Sequence, residues 1–134
     1  MVETAPVITI DGPVGSGKGT ICTRLAERLG WAILDSGALY RILALGADRN
    51  GLDLDDVPGV TDLVAQLEVE FVPDGRDEPV AVLVKKEDVS LAIRKESCGK
   101  AASRLAVIPE VRDALLAFQR SLRVSPGLIA DGRD

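Results

Sequence analysis

Short β-branched apolar runs alternate along this chain with stretches in which apolar residues recur every three or four positions. The run PVITID, bounded by Pro6 and Gly12, predicts a buried strand. Beyond a glycine-rich segment, Ile21, Leu25 and Leu29 recur every four residues while Arg24, Glu27 and Arg28 fill other faces. That pattern predicts an amphipathic helix with Gly30 as its stop at C′. WAILD predicts a second short strand. SGALYRILALGADRNG predicts a second helix, with Ser36 as the N-cap candidate and Gly51 as its stop.

Residues 52–58, LDLDDVP, predict a loop, and Val60, Leu63, Val64 and Leu67 mark a short helix after it. VEFV and VAVLV predict strands joined by the turn-rich PDGRDEP. The stretch through SLAIRKES fits no single period. AASRLAVI predicts a helix, and Pro109 opens another with Val111, Leu115, Phe118 and Leu122 on one face. SPG breaks it, and LIAD is a last apolar strand that runs into GRD. Strands alternating with helices predict a parallel α/β sheet, with VEFV and VAVLV as an antiparallel excursion from it. No internal repeat or low-complexity segment interrupts the pattern.

The chain has 134 residues, enough for one modest domain with its own core. Hydrophobic residues at 46% and charged residues at 28% place it among ordinary soluble globular proteins, and the expectation is a cytoplasmic one. The net charge of −5 argues against duplex nucleic acid as a partner, because that binding runs on phosphate neutralisation. It leaves room for a small anion held by a few placed cations. No stretch has the length of a membrane span, and MVETAP lacks the basic region of a signal peptide. Cys22 and Cys98 have neither CxxC nor metal-type spacing, which predicts two reduced, buried thiols. There is no histidine, which removes the commonest general base and the commonest metal ligand.

One motif gives the alternation a purpose. Gly12-Pro13-Val14-Gly15-Ser16-Gly17-Lys18 matches G-x-x-x-x-G-K, directly after a predicted strand and before a predicted helix. Glycines let successive backbone N–H groups point into one hollow, and the helix N-terminus adds partial positive charge there. A polyphosphate fits that hollow, with Lys18 as the full charge near its outer phosphates. The usual Ser or Thr after the lysine is replaced by Gly19, and Thr20 comes one position late. Direct contact between a hydroxyl and Mg²⁺ is in doubt on that account. G-K-G-T is the variant typical of nucleoside monophosphate kinases.

PVITIDGPVGSGKGT, LDSGALYR, AASRLA, PEVRDALLAFQR and GLIADGRD together closely resemble the bacterial cytidylate kinases, over nearly the whole chain. Adenylate kinases share G-K-G-T, but the insert that follows their acceptor segment is helical. The β-rich residues 69–85 favour the cytidylate type, whose insert carries a small antiparallel sheet. The resemblance implies a P-loop NTPase-type three-layer α/β core with a parallel sheet, incomplete here, and a small antiparallel β insert. It divides the chain into a core at 1–58, a nucleotide-binding insert at 59–98 and a return to the core at 99–134. The implied reaction moves the γ-phosphoryl of ATP, with Mg²⁺, onto CMP or dCMP, giving ADP and CDP or dCDP. That chemistry suits a chain without histidine, since a phosphate with a second pKa of about 6 is largely deprotonated at pH 7. Catalysis is then positioning and charge stabilisation.

By the same resemblance, Gly12 to Thr20 hold the ATP phosphates, with Pro13, Val14, Gly15, Ser16, Gly17 and Gly19 as the loop and Lys18 as its key charge. Ser36 and Arg41 fix the acceptor, Arg41 on its phosphate, and Arg133 binds the same phosphate. Ser103, Arg112 and Asp134 match the family's cytosine-reading positions. The chemistry agrees, because the cytosine N4 amine is a donor that a carboxylate accepts, whereas uracil presents an acceptor there. Asp131 either holds Mg²⁺ through water or caps the next turn. Taken singly, Arg41 reads as a solvated helix arginine, and Ser103 and Arg112 as surface residues; the motif gives them roles. Trp31 and Tyr40 read as packing residues, and VKKEDVS as a solvated turn.

The family's chain continues well past DGRD, and the strands flanking the loop-bearing strand on its second side lie beyond residue 134. The 134 residues therefore read as a piece of the enzyme, expected to be unstable and to have little activity alone, and a monomer at full length. Another monophosphate kinase, of adenylate or uridylate type, and a nucleotide-binding piece without catalysis stay open as alternatives. A GTP-binding switch would need N-K-x-D, and the only asparagine, Asn50, precedes glycine.

Overall fold

In the computed structural model of the chain, the described residues are 5–12, 17–72, 81–123 and 126–131. In chain order the elements are β1 (Val7–Ile10), α1 (Lys18–Leu29), β2 (Ala32–Asp35), α2 (Ser36–Arg49), α3 (Val57–Ala65), β3 (Val69–Val72), β4 (Ala81–Val84), β5 (Glu87–Asp88), a 3-10 turn at Ala92–Arg94, α4 (Glu96–Ala106), α5 (Pro109–Ser121) and β6 (Leu128–Asp131).

The strands form two sheets. One is parallel, in the order β1-β6-β2, and the other is antiparallel, in the order β3-β4-β5. In the parallel sheet successive residues face opposite ways, as the pleat requires. Ile33 and Ile129 point to one side, where they pack with Cys22 and Ala26 of α1. Leu34 and Leu128 point to the other, into a larger core that includes Leu39, Leu43, Val60, Val82, Leu105 and Leu115. A parallel sheet covered on both faces has continuous apolar strands, which is why AILD and LIAD show no alternation; VITI, expected to be buried as well, is only partly so, with Ile8 and Thr9 exposed. The expected helix–sheet–helix layering is present, with the antiparallel sheet feeding Val82 into the same core.

Two expectations need correction. Ser36 does not cap α2: Asp35 is the N-cap, its Oδ1 accepting from the Ala38 amide at 3.2 Å. A carboxylate at that place also sits well against the positive end of the helix dipole. Ile21 and Leu29 are not the buried face of α1; they are 53% and 42% exposed, and Cys22, Thr23 and Ala26 face the sheet instead. Small side chains allow α1 to lie close to the strands, with Leu25 packed partly buried beside them and Ile21 and Leu29 exposed. Ile8 of β1 is also exposed, and among the described residues β1 has a strand neighbour on one side only.

Other boundaries follow local chemistry. α1 ends at Gly30, left-handed at φ 67°, whose amide returns to the Ala26 carbonyl. α2 ends before Gly51, also left-handed. α3 starts within the stretch expected to be loop, capped by Asp56 with Pro58 in its first turn. The aperiodic stretch through SLAIRKES holds the 3-10 turn and the start of α4. α5 buries Val111, Leu115 and Gln119, with Phe118 and Leu122 partly covered. The link PDGRDEP lies outside the described residues. Cys22 and Cys98 are free and buried, as expected.

Candidate active site

The parallel strands end together. Ile10 of β1, Asp131 of β6 and Asp35 of β2 share one register row. The three strand ends therefore lie along one carboxyl edge, the place where open α/β sheets bind ligands. The glycine-rich loop follows β1, α2 follows β2, and GRD follows β6.

On the β1 side, the Gly12 amide donates to the Asp11 carboxylate at 2.9 Å. Gly17 caps α1 in the left-handed region, φ 85° and ψ 10°, and its carbonyl accepts from the Ile21 amide at 3.1 Å. That backbone is strained for any residue with a Cβ, so the motif's second glycine is required by conformation. Lys18 and Thr20 stand in the first turn of α1, where the helix dipole favours an anion. Pro13, Val14, Gly15 and Ser16 lie outside the described residues.

On the β2 side, α2 opens into a cleft of about 390 Å³ lined by Asp35, Gly37, Arg41, Val82, Ser90 and Arg94, among others. The core strand β2, the helix α2 and the antiparallel sheet thus share one cavity. Arg41 is held in it by three contacts. Its Nη1 donates to the Ile93 carbonyl at 2.8 Å. Its guanidinium lies over Gly99, where a Cβ would stand 3.2 Å from Nη2. Its own carbonyl accepts from the Cys98 thiol at 3.2 Å. Burial pushes that thiol above the ordinary thiol range, with the nearby Arg41 charge a smaller, opposing influence. Cys98 is therefore a neutral donor at physiological pH.

The antiparallel sheet is fixed at the rim of this cleft. The Ser90 hydroxyl accepts from the Val82 amide at 2.8 Å, and the Ser90 amide donates to Asp88 at 2.9 Å. Hydrogen bonds from Ser90 hold the Asp88 carboxyl below the usual carboxylate range. Bidentate contacts of 3.0 Å from Arg49 to Glu87 tie β5 to α2.

Of the residues singled out in the sequence, Arg41 lines the cleft. Ser36 is buried at its side and is not among the lining residues. Ser103 is exposed one turn beyond Gly99, its hydroxyl donating to the Gly99 carbonyl at 3.1 Å, which places it near Arg41 on α4. Arg112 is exposed in the first turn of α5. Asp131 ends β6 at the carboxyl edge. Arg133 and Asp134 lie outside the described residues. Sequence reading missed Arg94 and the two groups that hold Arg41, the Ile93 carbonyl and Gly99. Backbone acceptors and a missing side chain leave no mark on residue type, and Arg94 stands in the stretch without a period. Among the described residues no group of His, Cys, Asp and Glu is arranged to hold a metal ion. No helix of the described residues is long and apolar enough to cross a membrane.

Comparison with known proteins matches this arrangement to a family. The cytidylate kinase family model covers residues 8–134. A cytidylate kinase of Shewanella sp. (strain MR-4) is 53% identical over all 134 residues. Those of Shewanella oneidensis and Shewanella putrefaciens are each 52% identical over the same length. The chain spans 58% of the length of each of these relatives. The chain belongs to the cytidylate kinase family.

Proposed function

We propose that the protein transfers the γ-phosphoryl group of MgATP to CMP or dCMP, giving ADP and CDP or dCDP. The observation that carries this reading is the shared carboxyl edge. The strand leading to the phosphate loop and the strand leading to α2 end in one register row, with β6 between them. A donor on the loop and an acceptor beside α2 would face one another across the end of β6.

The division of labour follows from charge. Gly12 to Thr20 would cradle the donor phosphates, with Lys18 neutralising the outermost ones. Magnesium enters as the counter-ion of ATP, since the described residues provide no cluster of their own. Thr20 and Asp131 are the nearest candidates to orient its water shell. Arg41 would hold the acceptor phosphate, and Arg133 would join it on the β6 side. Ser36 would help fix the acceptor, and Ser103, Arg112 and Asp134 would read cytosine. The attacking atom is a phosphate oxygen, already anionic at neutral pH because its second pKa is about 6. No general base is needed, and the chain has no histidine to supply one. The rate enhancement then rests on alignment and on cations placed where charge develops.

The test is kinetic, on the intact gene product. Lys18→Ala is expected to lower kcat by on the order of a hundredfold or more, the size seen when a preorganised charge partner of the transition state is removed. Arg41→Ala is expected to raise KM for CMP by about tenfold, the equivalent of one charge-assisted contact, with a smaller effect on KM for ATP. Equal effects of Arg41→Ala on both substrates, or full activity of Lys18→Ala, would overturn the assignment.

A further inference from the structure

Arg94 is an exposed residue at the end of the 3-10 turn, remote in sequence from every motif described above. Three observations bring it to the acceptor site. It lines the same cleft as Arg41, together with Asp35 and Gly37 at the start of α2. The turn that carries it also carries Ile93, whose carbonyl accepts from Arg41 at 2.8 Å, so one short element places both guanidinium groups. Finally, among the described residues the Arg94 side chain has no hydrogen-bond or ion-pair partner; its backbone amide donates to the Leu91 carbonyl at 3.2 Å, and Asp88 is only a weak electrostatic neighbour. Arg49 and Arg104, by contrast, are engaged with Glu87 and Asp55.

We infer that Arg94 is a further cation for the phosphate of the acceptor nucleotide, acting beside Arg41 in the cleft between α2 and the antiparallel sheet, in addition to Arg133 proposed on the β6 side. The inference rests on the reading of that cleft as the acceptor site. A nucleoside monophosphate carries between about −1.5 and −2 charges on its phosphate at neutral pH, more than one arginine neutralises. Within the lining, the acidic side chain of Asp35 is committed to the Ala38 amide. Arg41 has one nitrogen on the Ile93 carbonyl, which leaves the rest of its fork for the ligand. An arginine without a partner, lining the same cavity as a held one, adds a second guanidinium for a dianion there. Because Arg94 belongs to the antiparallel side and Arg41 to α2, the phosphate would also bridge the two.

The test compares Arg94→Ala, Arg41→Ala and Arg104→Ala in the intact gene product. Arg104 serves as the control for a lost surface charge. Each is assayed with CMP as substrate and with cytidine, which lacks the phosphate, as a competitive inhibitor. Arg94→Ala is expected to raise KM for CMP about tenfold, with the inhibition constant of cytidine unchanged and Arg104→Ala near wild type. Arg94→Lys is expected to recover part of the loss, since it keeps the charge without the fork. If Arg41→Ala raises KM for CMP but Arg94→Ala does not, the inference on Arg94 fails and the site stands. If neither changes it, the acceptor reading of the cleft fails as well. A loss shared equally by cytidine would overturn a phosphate role for Arg94.

Discussion

At Gly127 a single missing methyl group decides how the last strand enters the sheet. A Cβ there would come within 2.5–2.6 Å of the indole ring atoms of Trp31. The ring cannot step aside as a flexible chain end would, because it packs against the α1 side of the sheet. Gly127→Ala is expected to lower stability by about 1–3 kcal/mol, the usual cost of overpacking, read as a fall in denaturation midpoint. A second residue-scale expectation concerns Cys98. Its thiol pKa is raised by burial, so between the unfolded and folded values the native state holds a proton that the unfolded chain has lost. Stability should therefore fall as pH rises above the ordinary thiol value of about 8.5. Cys98→Ala should flatten that alkaline slope, as seen in urea melts across the range. At neutral pH the thiol should resist alkylation until the protein unfolds.

At the scale of elements, the turn between β4 and β5 is the least suited to its residues. Lys85 and Lys86 both have positive φ, 48° and 69°, in a two-residue hairpin. Hairpins of that length favour Asn and Gly, which take the left-handed region at low cost. Lys86→Gly is expected to stabilise the protein by about 0.5–1 kcal/mol, measurable as a higher melting temperature. Periodicity made most elements legible: AILD and LIAD as buried strands, VITI as a strand though not a buried one, the helices on either side of Pro109, and the stops at Gly30 and Gly51. It failed where an element's partner is a matter of tertiary geometry. The every-fourth spacing of Ile21, Leu25 and Leu29 is a good helix signal, yet the sheet is met by Cys22 and Ala26 because close approach needs small side chains. The sequence pointed to Ser36 as the cap of α2, and the structure uses the preceding Asp35 instead. The 3-10 turn is too short to show a period, and with it went Arg94.

At the scale of the whole molecule, the parallel strands, the glycine-rich loop and α2 form one device. The sheet aligns three strand ends, α1 presents its N-terminus beside the first, and α2 carries Arg41 from the second. The motif made the donor side legible because it is a matter of residue type at fixed spacing. The proposed acceptor side was legible only through resemblance, since Arg41 is one helix arginine among several until the Ile93 carbonyl and Gly99 hold it in the cleft. The account as a whole stands on cytosine being the preferred acceptor base. The most direct measurement is kcat/KM of the intact gene product with MgATP and CMP, UMP or AMP in parallel, following ADP and the diphosphate formed. Selectivity for CMP of at least about a hundredfold is expected, because a site built to accept from the N4 amine leaves a buried group unpaired with the wrong base. Equal or better turnover of UMP or AMP would contradict it.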